Sequence, residues 1–374
     1  MRIAFLSNYF NHHQKPLSDQ LADLSEEYYF VSTQPMEQER FNMGWGNDDI
    51  PQYVIDYQCN KEKVDIIISD FDIIIYGAAP YEMIKERLHS GKIVLIYSER
   101  IFKKGLLYWK NIIRIPRFKQ QFSRFENAYL LSASAYAYKD YYTINCFKGR
   151  CLRWGYFPAC YKYDDIDKIL EWKHPASILW VARLIELKHP EMCVELALKL
   201  RNEGFDFHIT MIGVGPLEDR IKTLIEKYKL NSNLILLGSM TPEQVRTHME
   251  ESEIFIFTSD KNEGWGAVLN EAMNSACSVV ASSSIGSVPY LIKDNENGMV
   301  FKDGKADELY YKVVQLLTSP EERKRMGKNA YFTILNQWNP ENAARRLLHT
   351  FETKRIHPFE DEGPCSKAPL IDGH

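Results

Sequence analysis

The chain has 374 residues and lacks any apolar run long enough to cross a bilayer: its longest, such as Ile73 to Ala79 and Ile93 to Tyr97, fall far short of the roughly 20 residues that a spanning helix needs. Its opening, MRIAFLSNYFNHH, turns polar after six residues, too soon for the core of a secretory leader, so a cytoplasmic location is expected. Paired cysteines are missing too. The seven present (Cys59, Cys146, Cys151, Cys160, Cys193, Cys277 and Cys365) include no C-x-x-C and no histidine at zinc spacing, which excludes a disulfide scaffold and a structural zinc site and suits a reducing compartment. Nor does one sign of charge dominate: 46 Lys and Arg against 50 Asp and Glu give a formal net charge of -4, and nucleic acid is not an expected partner. With 45% hydrophobic and 26% charged residues, disorder and collagen are excluded, and the length allows one large core or two ordinary ones.

What is there is an alternation. Short runs rich in Ile, Val, Leu and aromatics are separated by helix-length amphipathic segments, the pattern of an α/β protein with parallel strands. In the first half the expected strands are Arg2–Leu6, Tyr29–Ser32, Ile73–Tyr76, Ile93–Tyr97 and Ala128–Ser132, with helices such as Pro16–Leu24 and Tyr81–His89 between them. After a charged helical stretch at Tyr163–Lys173 a second series follows. Its strands are Ser177–Val181, Phe207–Ile212, Leu234–Leu237, Ile254–Thr258 and Ser278–Ser282, with helices at Pro190–Asn202, Leu217–Tyr228, Pro242–Glu250, Gly266–Ser275 and Ala306–Leu317. Two Rossmann-like, doubly wound domains joined by Leu152–Pro158 are expected, with a cleft between them facing the carboxyl ends of both sheets.

Three local signals carry chemistry. Gly213 to Pro216 reads G-V-G-P between a strand and a helix, either a phosphate-binding turn or a tight strand-to-helix connection; the third glycine of the dinucleotide fingerprint is absent. Asp70-Phe71-Asp72 lies between two isoleucine runs, a divalent-cation pair on a nucleotide diphosphate or a polar turn, and the turn is the favoured reading. Asp165 and Asp167 read as a solvated helix face. The strongest constellation follows the strand Glu253–Thr258: S-D-K-N-E-G-W-G and then a helix, with Glu263 in the turn and Glu271 eight positions on. Gly264 and Gly266 bare backbone amides at a helix start, an anion site, beside which a carboxylate can accept from sugar hydroxyls or a ribose diol. Helix capping by Glu263 and exposure of Glu271 are the alternative.

The stretch E-G-W-G-A-V-L-N-E-A-M-N-S-A-C-S-V-V-A-S resembles the E-x7-E signature of retaining, nucleotide-sugar-dependent glycosyltransferases of the GT-B fold, the large group numbered family four. W-V-A-R-L-I-E-L-K resembles the first donor-domain strand and loop of that family, M-I-G-V-G-P its glycine turn, I-L-L-G-S-M its base-contacting turn and Q-W-N-P-E-N-A-A its final helix; together they cover roughly residues 177 to 348. The resemblance implies a GT-B architecture with an acceptor domain at 1–160, a donor domain at 161–340, a helix at 341–355 crossing back to the first domain and a tail at 356–374. It also implies roles: Arg183 and Lys188 on the donor diphosphate, Glu263 on the transferred sugar and Glu271 on the ribose. Gly264, Trp265, Gly266, Gly213, Gly215, Gly238, Ser239 and Met240 complete the donor site. The chain departs from the family at Ala276 and Ser278, where Gly and Pro are usual, at Tyr290, where Glu is common, and after strand one, where N-Y-F-N-H-H-Q replaces a glycine-rich loop.

The expected donor is a UDP- or GDP-linked sugar, with Arg183, Lys188 and the Gly264–Gly266 amides stabilising the leaving phosphate so that no metal ion or other cofactor is required. On the acceptor side His12 and His13 after strand one, and Glu99 after Ile93–Tyr97, are the candidates. The stretch Arg100 to Arg124 carries eight basic residues and no acid, interleaved with aromatics and isoleucines, and Pro116 is expected to split any helix in it. It reads either as a helix and loop whose apolar side packs on the first sheet and whose basic side is solvated, or as a peripheral attachment to an anionic membrane on its inner face; the second suits a glycan acceptor that is lipid-linked, in bacterial surface polysaccharide assembly. A non-catalytic nucleotide-sugar sensor of the same fold and a metal-dependent GT-A transferase using Asp70 and Asp72 are the alternatives.

Overall fold

The computed structural model describes residues 1–36, 50–353 and 356–372. Two compact units divide the chain: unit 1 is Met1–Ala159 with the segment from Asn339 onward, and unit 2 is Cys160–Trp338. Residues 354, 355, 373 and 374, which fall in the expected closing helix and tail, lie outside the described residues.

Unit 1 runs β1 (Arg2–Ser7), α1 (Lys15–Leu24), β2 (Glu27–Ser32), β3 (Val54–Asp56), α2 (Lys61–Asp70), β4 (Ile73–Tyr76), α3 (Glu82–His89), β5 (Ile93–Ser98), α4 (Asn111–Phe122), β6 (Ala128–Ser132), α5 (Ala137–Thr143) and β7 (Cys151–Arg153). Its parallel sheet has the order β3-β2-β1-β4-β5-β6-β7. Ile73, Ile74, Ile75, Val94 and Leu95 are buried because helices cover both faces, which is why these strands read as unbroken apolar runs. The isoleucine run before Asp70 is helix, not strand: Val64, Ile67 and Ile68 face the core at helical spacing, while Ile66 is exposed. Helix α4 continues through Pro116 instead of splitting there. Proline removes one donor to the carbonyl of Ile112, which is itself exposed to water.

Unit 2 runs α6 (Ile166–Trp172), β8 (His174–Val181), a 3-10 turn (Glu186–Lys188), α7 (Glu191–Asn202), β9 (His208–Ile212), α8 (Glu218–Lys227), β10 (Leu234–Leu236), α9 (Pro242–Glu251), β11 (Ser252–Phe257), α10 (Val268–Asn274), β12 (Ser278–Ser282), α11 (Val288–Leu291), β13 (Met299–Phe301), α12 (Ala306–Thr318) and α13 (Pro320–Asn336). The parallel order is β10-β9-β8-β11-β12-β13. Its core joins Ile178 and Trp180 of β8 to Met192 and Leu196 of α7 and Leu309 and Val313 of α12. The chain then returns to unit 1, where α14 (Pro340–Thr350) packs on α1. Residues 365 to 368 hydrogen-bond along β7 through Arg153 N to Ser366 O at 2.7 Å and Ala368 N to Cys151 O at 3.1 Å, so the edge of that sheet is covered.

Candidate functional site

The carboxyl edge of the unit 2 sheet is built from turns that only small residues permit. Gly213 follows β9 with φ +140, and a Cβ there would lie 1.9 Å from the Ala182 carbonyl oxygen, so the turn and the loop after β8 can meet only at glycine. Leu184 N donates to Val214 O at 2.9 Å and Gly213 N to Gly238 O at 2.7 Å, which laces the loops after β8, β9 and β10 together and gathers Gly213, Gly215 and Gly238 on one edge. Ser239 is exposed and Met240 half-buried, leading into Thr241, whose side chain and that of Gln244 form a capping box on α9.

The same edge brings Lys188 and Glu263 together. Trp180 Nε1 donates to Thr258 Oγ1 at 2.9 Å, and Thr258 Oγ1 donates to Lys188 O at 2.6 Å, which fixes the 3-10 turn against the end of β11. Asp260 N donates to Leu187 O at 2.9 Å from the other side. Lys188 Nζ is thereby placed against Glu263 Oε2 in a largely buried ion pair, 75 residues apart in sequence. Arg183, by contrast, is exposed, and no carboxylate or carbonyl among the described residues holds its guanidinium. Beyond Glu263 the chain passes through Gly264 and reaches Gly266, at φ +80, where a Cβ would come within 2.5 Å of the Phe257 ring.

Trp265 was placed by sequence beside the donor, but its indole is fully buried: Nε1 donates to Asn270 Oδ1 at 2.8 Å, and the ring packs with Trp338 and Tyr290 at centroid distances of 5.8 and 6.2 Å. Only its backbone can face a ligand. Tyr290, at the family's usual carboxylate position, stacks on Trp338 at 5.8 Å and 14°. Ala276, where the family has glycine, sits at φ +55 after α10. Glu271, in the first turn of α10, is half-buried, and burial pushes its carboxyl up to about 7 against the opposing pull of Arg246. Arg246 Nη1 reaches the Glu271 carbonyl at 3.3 Å and Ser275 Oγ at 2.9 Å.

Sequence reasoning passed over His189. It lies between Glu191 Oε1 at 3.2 Å and Asp260 Oδ2 at 3.5 Å, and the hydrogen bond to Glu191 raises its pKa above the ordinary value. The signal available was its place directly after Lys188 in L-K-H-P. Ser259, also unremarked, is buried at the end of β11, and its Oγ has no partner among the described residues.

In unit 1 the acceptor-side candidates lie at the ends of separate strands. His12 and His13 follow β1 with ring centroids 3.9 Å apart, and burial together with the neighbouring imidazole lowers His13 to about 3, so it is neutral at physiological pH. Glu99 follows β5 and is engaged on both oxygens, by Lys103 Nζ and Tyr156 Oη, each at 2.8 Å. Asp70 and Asp72 are at the amino end of β4, the wrong edge for a ligand: Asp72 Oδ2 accepts from Arg2 N at 2.8 Å, and Asp70 ends α2. Among the described residues no group of three His, Cys, Asp or Glu could hold a metal ion.

A family model described as glycosyl transferases group 1 matches residues 162–332. An uncharacterized glycosyltransferase of Methanocaldococcus jannaschii is 30% identical over 299 residues, 73% of this chain and 81% of that protein. The amylovoran biosynthesis glycosyltransferase AmsK of Erwinia amylovora is 30% identical over 183 residues, 48% of this chain but only 45% of that protein. The match thus spans less than half of AmsK. Among solved structures, HepE of Anabaena in complex with UDP superimposes with a TM-score of 0.69 at 14% identity, covering 94% of this chain and 100% of that one. At that identity the likeness concerns the fold, which is GT-B.

Proposed function

The chain belongs to the group 1 glycosyltransferases, and on that footing we propose that it moves a hexose-type sugar from a nucleoside-diphosphate sugar held on unit 2 to a hydroxyl of a glycan acceptor, with retention of anomeric configuration. The observation that carries this reading is the edge where the loop after β8, which carries Arg183 and Lys188, meets the Gly213 turn and sets Lys188 against Glu263, while no oxygen among the described residues holds the Arg183 guanidinium. The bond from the anomeric carbon to the phosphate oxygen breaks, the acceptor oxygen bonds to that carbon, and the acceptor proton passes to the freed phosphate. Charge therefore develops negatively at the phosphate, where Arg183 can bind two oxygens through its fork and Lys188 one as a point charge. The donor phosphate would take Lys188 from Glu263, leaving that carboxylate to accept from hydroxyls of the sugar, while Glu271 accepts from the ribose. The bound UDP of the Anabaena neighbour favours a UDP-linked donor, and the amylovoran relative favours polysaccharide assembly.

Metal independence belongs to the same proposal, since the two cations supply the charge a metal would. The test is a panel of UDP-, GDP- and ADP-sugars, titrated for saturable binding and slow hydrolysis with and without excess EDTA. Binding and turnover of one donor that survive EDTA are expected. A rate that collapses with chelator and returns with Mn²⁺ or Mg²⁺ would overturn the metal-free mechanism, and tight binding with no turnover would make the chain a sensor.

A lipid-linked acceptor and attachment to an anionic bilayer through 100–124 complete the reading. Leu107 is 97% exposed and Ile112 78%, with Trp109 and Ile113 beside them, and Lys103, Lys104 and Lys110 flank this apolar surface. Each basic group near anionic lipid contributes about 1 kcal/mol. Co-sedimentation should require anionic vesicles, weaken with salt and drop when Lys103, Lys104 and Lys110 become Glu; equal recovery in the supernatant with neutral and anionic vesicles would remove the membrane from the reading.

A further inference from the structure

A pocket of about 410 Å³ lies within unit 1 at the carboxyl ends of β4 and β5, with α4 as one wall. Positions 114, 117, 118, 121 and 122 of α4 line it, a stripe along one helix face. Its opposite walls are aromatic, and their polar atoms are already engaged: Tyr76 Oη donates to Ala79 O at 2.7 Å, and Ser98 Oγ to Glu99 O at 2.9 Å while also meeting Tyr141 Oη at 3.0 Å. Two groups remain. Arg114 and Arg117 are not held by any carboxylate or carbonyl among the described residues, and the lining holds a single acid, Glu82. Two cations three residues apart on a helix repel, and an anion placed between them relieves that repulsion. A single carboxylate occupies one guanidinium fork, whereas a phosphate or diphosphate has charge and oxygens for both. The aromatic walls suit a ring with apolar faces, as in ligand sites where a few polar groups fix orientation.

We propose that this pocket binds the phosphosugar end of the acceptor, a hexose bearing phosphate or diphosphate, with Arg114 and Arg117 on the phosphate and the aromatic walls against the sugar ring. This deepens the glycosyltransferase reading and rests on it for the word acceptor, but the binding itself is separable. The test is calorimetric titration of the full chain with N-acetylglucosamine 1-phosphate, with farnesyl-diphosphoryl N-acetylglucosamine, and with N-acetylglucosamine, pyrophosphate and glucuronate alone; UDP is titrated in parallel to report unit 2. Saturable binding of the two phosphosugars is expected. Arg114→Gln and Arg117→Gln should each weaken it about tenfold or more and together about a hundredfold, with Arg117→Lys intermediate because it keeps charge and loses the fork. Tighter binding of the farnesyl compound than of the free phosphosugar assigns the pocket to a lipid-linked acceptor, and the reverse assigns it to a soluble one; either supports the proposal. Binding unchanged in the double variant, glucuronate or pyrophosphate binding as tightly as the phosphosugar, or no phosphosugar binding by the intact chain would each overturn it. Phosphosugar binding without UDP binding would support the pocket and remove the donor reading alone. Melting temperatures near that of the parent are expected for the arginine variants, since neither guanidinium is held by an oxygen of another described residue.

Discussion

The carboxyl edges of the two sheets solve opposite problems. In unit 2 two basic groups are already matched within the protein, Lys188 by Glu263 and His189 by Glu191 and Asp260, and Arg183 is the exception. In unit 1 the pocket keeps two arginines that no carboxylate among the described residues holds, while its hydroxyls are satisfied by neighbouring oxygens. Paired charges hold a site in one geometry before the ligand arrives, and the ligand must exchange partners to enter. Unpaired ones wait for the ligand to complete them, so their contribution appears as binding affinity.

The most direct way to break this contrast is at the paired edge. Glu263→Ala and Arg183→Ala should each lower kcat/KM by ~10² or more, the scale for removing one preorganised electrostatic partner. The cause differs: Glu263→Ala also leaves Lys188 largely buried without its partner, so some loss of stability should accompany the loss of rate, whereas Arg183→Ala should leave the unfolding midpoint unchanged. Near-native rates with the matched donor in either variant would move the chemistry away from this edge.

A smaller effect is expected where a helix of unit 2 packs closely on a turn. A Cβ at Gly327 of α13 would lie 2.4 Å from the Ala276 carbonyl oxygen, so Gly327→Ala must push that helix off the turn after α10. A cost of about 1–3 kcal/mol follows from overpacking. Urea unfolding followed separately by unit 2 and unit 1 tryptophans should show the loss in unit 2, which has its own core. An equal shift in both would show that the two units unfold as one.

The same contrast governs how much could be read from the sequence. The buried strands β1, β4, β5, β8 and β11 were legible because each contains four or more consecutive apolar residues. β3, β7 and β13 are three residues each and carry too little pattern to stand out; β7, moreover, gains its outer partner from residues 365 to 368, which lie over 200 positions away. On the unit 2 edge Lys188 and Glu263 each stand in a motif of their own, so both are legible as candidates, whereas their pairing across 75 residues is not. Trp265 enters the donor set only through the resemblance, and its indole instead fills the core against Tyr290 and Trp338. The unit 1 pocket could not be read at all: Tyr76, Ser98, Arg114 and Tyr141 come from four elements that only the sheet order brings together.

The smallest effect expected separates the two carboxylates of the E-x7-E motif. Glu263 has a cation beside it, whereas Glu271 is half-buried, and burial raises its carboxyl to about 7. A ribose diol donates hydrogen bonds, so donor binding favours the ionised form of Glu271, and that form predominates above its raised pKa. Affinity for the donor should therefore rise with pH, by about tenfold between pH 6 and pH 8, because the competent fraction grows from about a tenth to about nine tenths across a pKa near 7. Glu271→Gln cannot ionise, so it should bind the donor more weakly at pH 8 and show no such rise. Titrations of the parent and the variant with UDP-sugar across that range decide the matter. A rise with pH that survives in Glu271→Gln would remove Glu271 as the titrating group; a fall with pH would instead point to His189, whose protonation favours the phosphates, so the sign of the slope distinguishes the two residues.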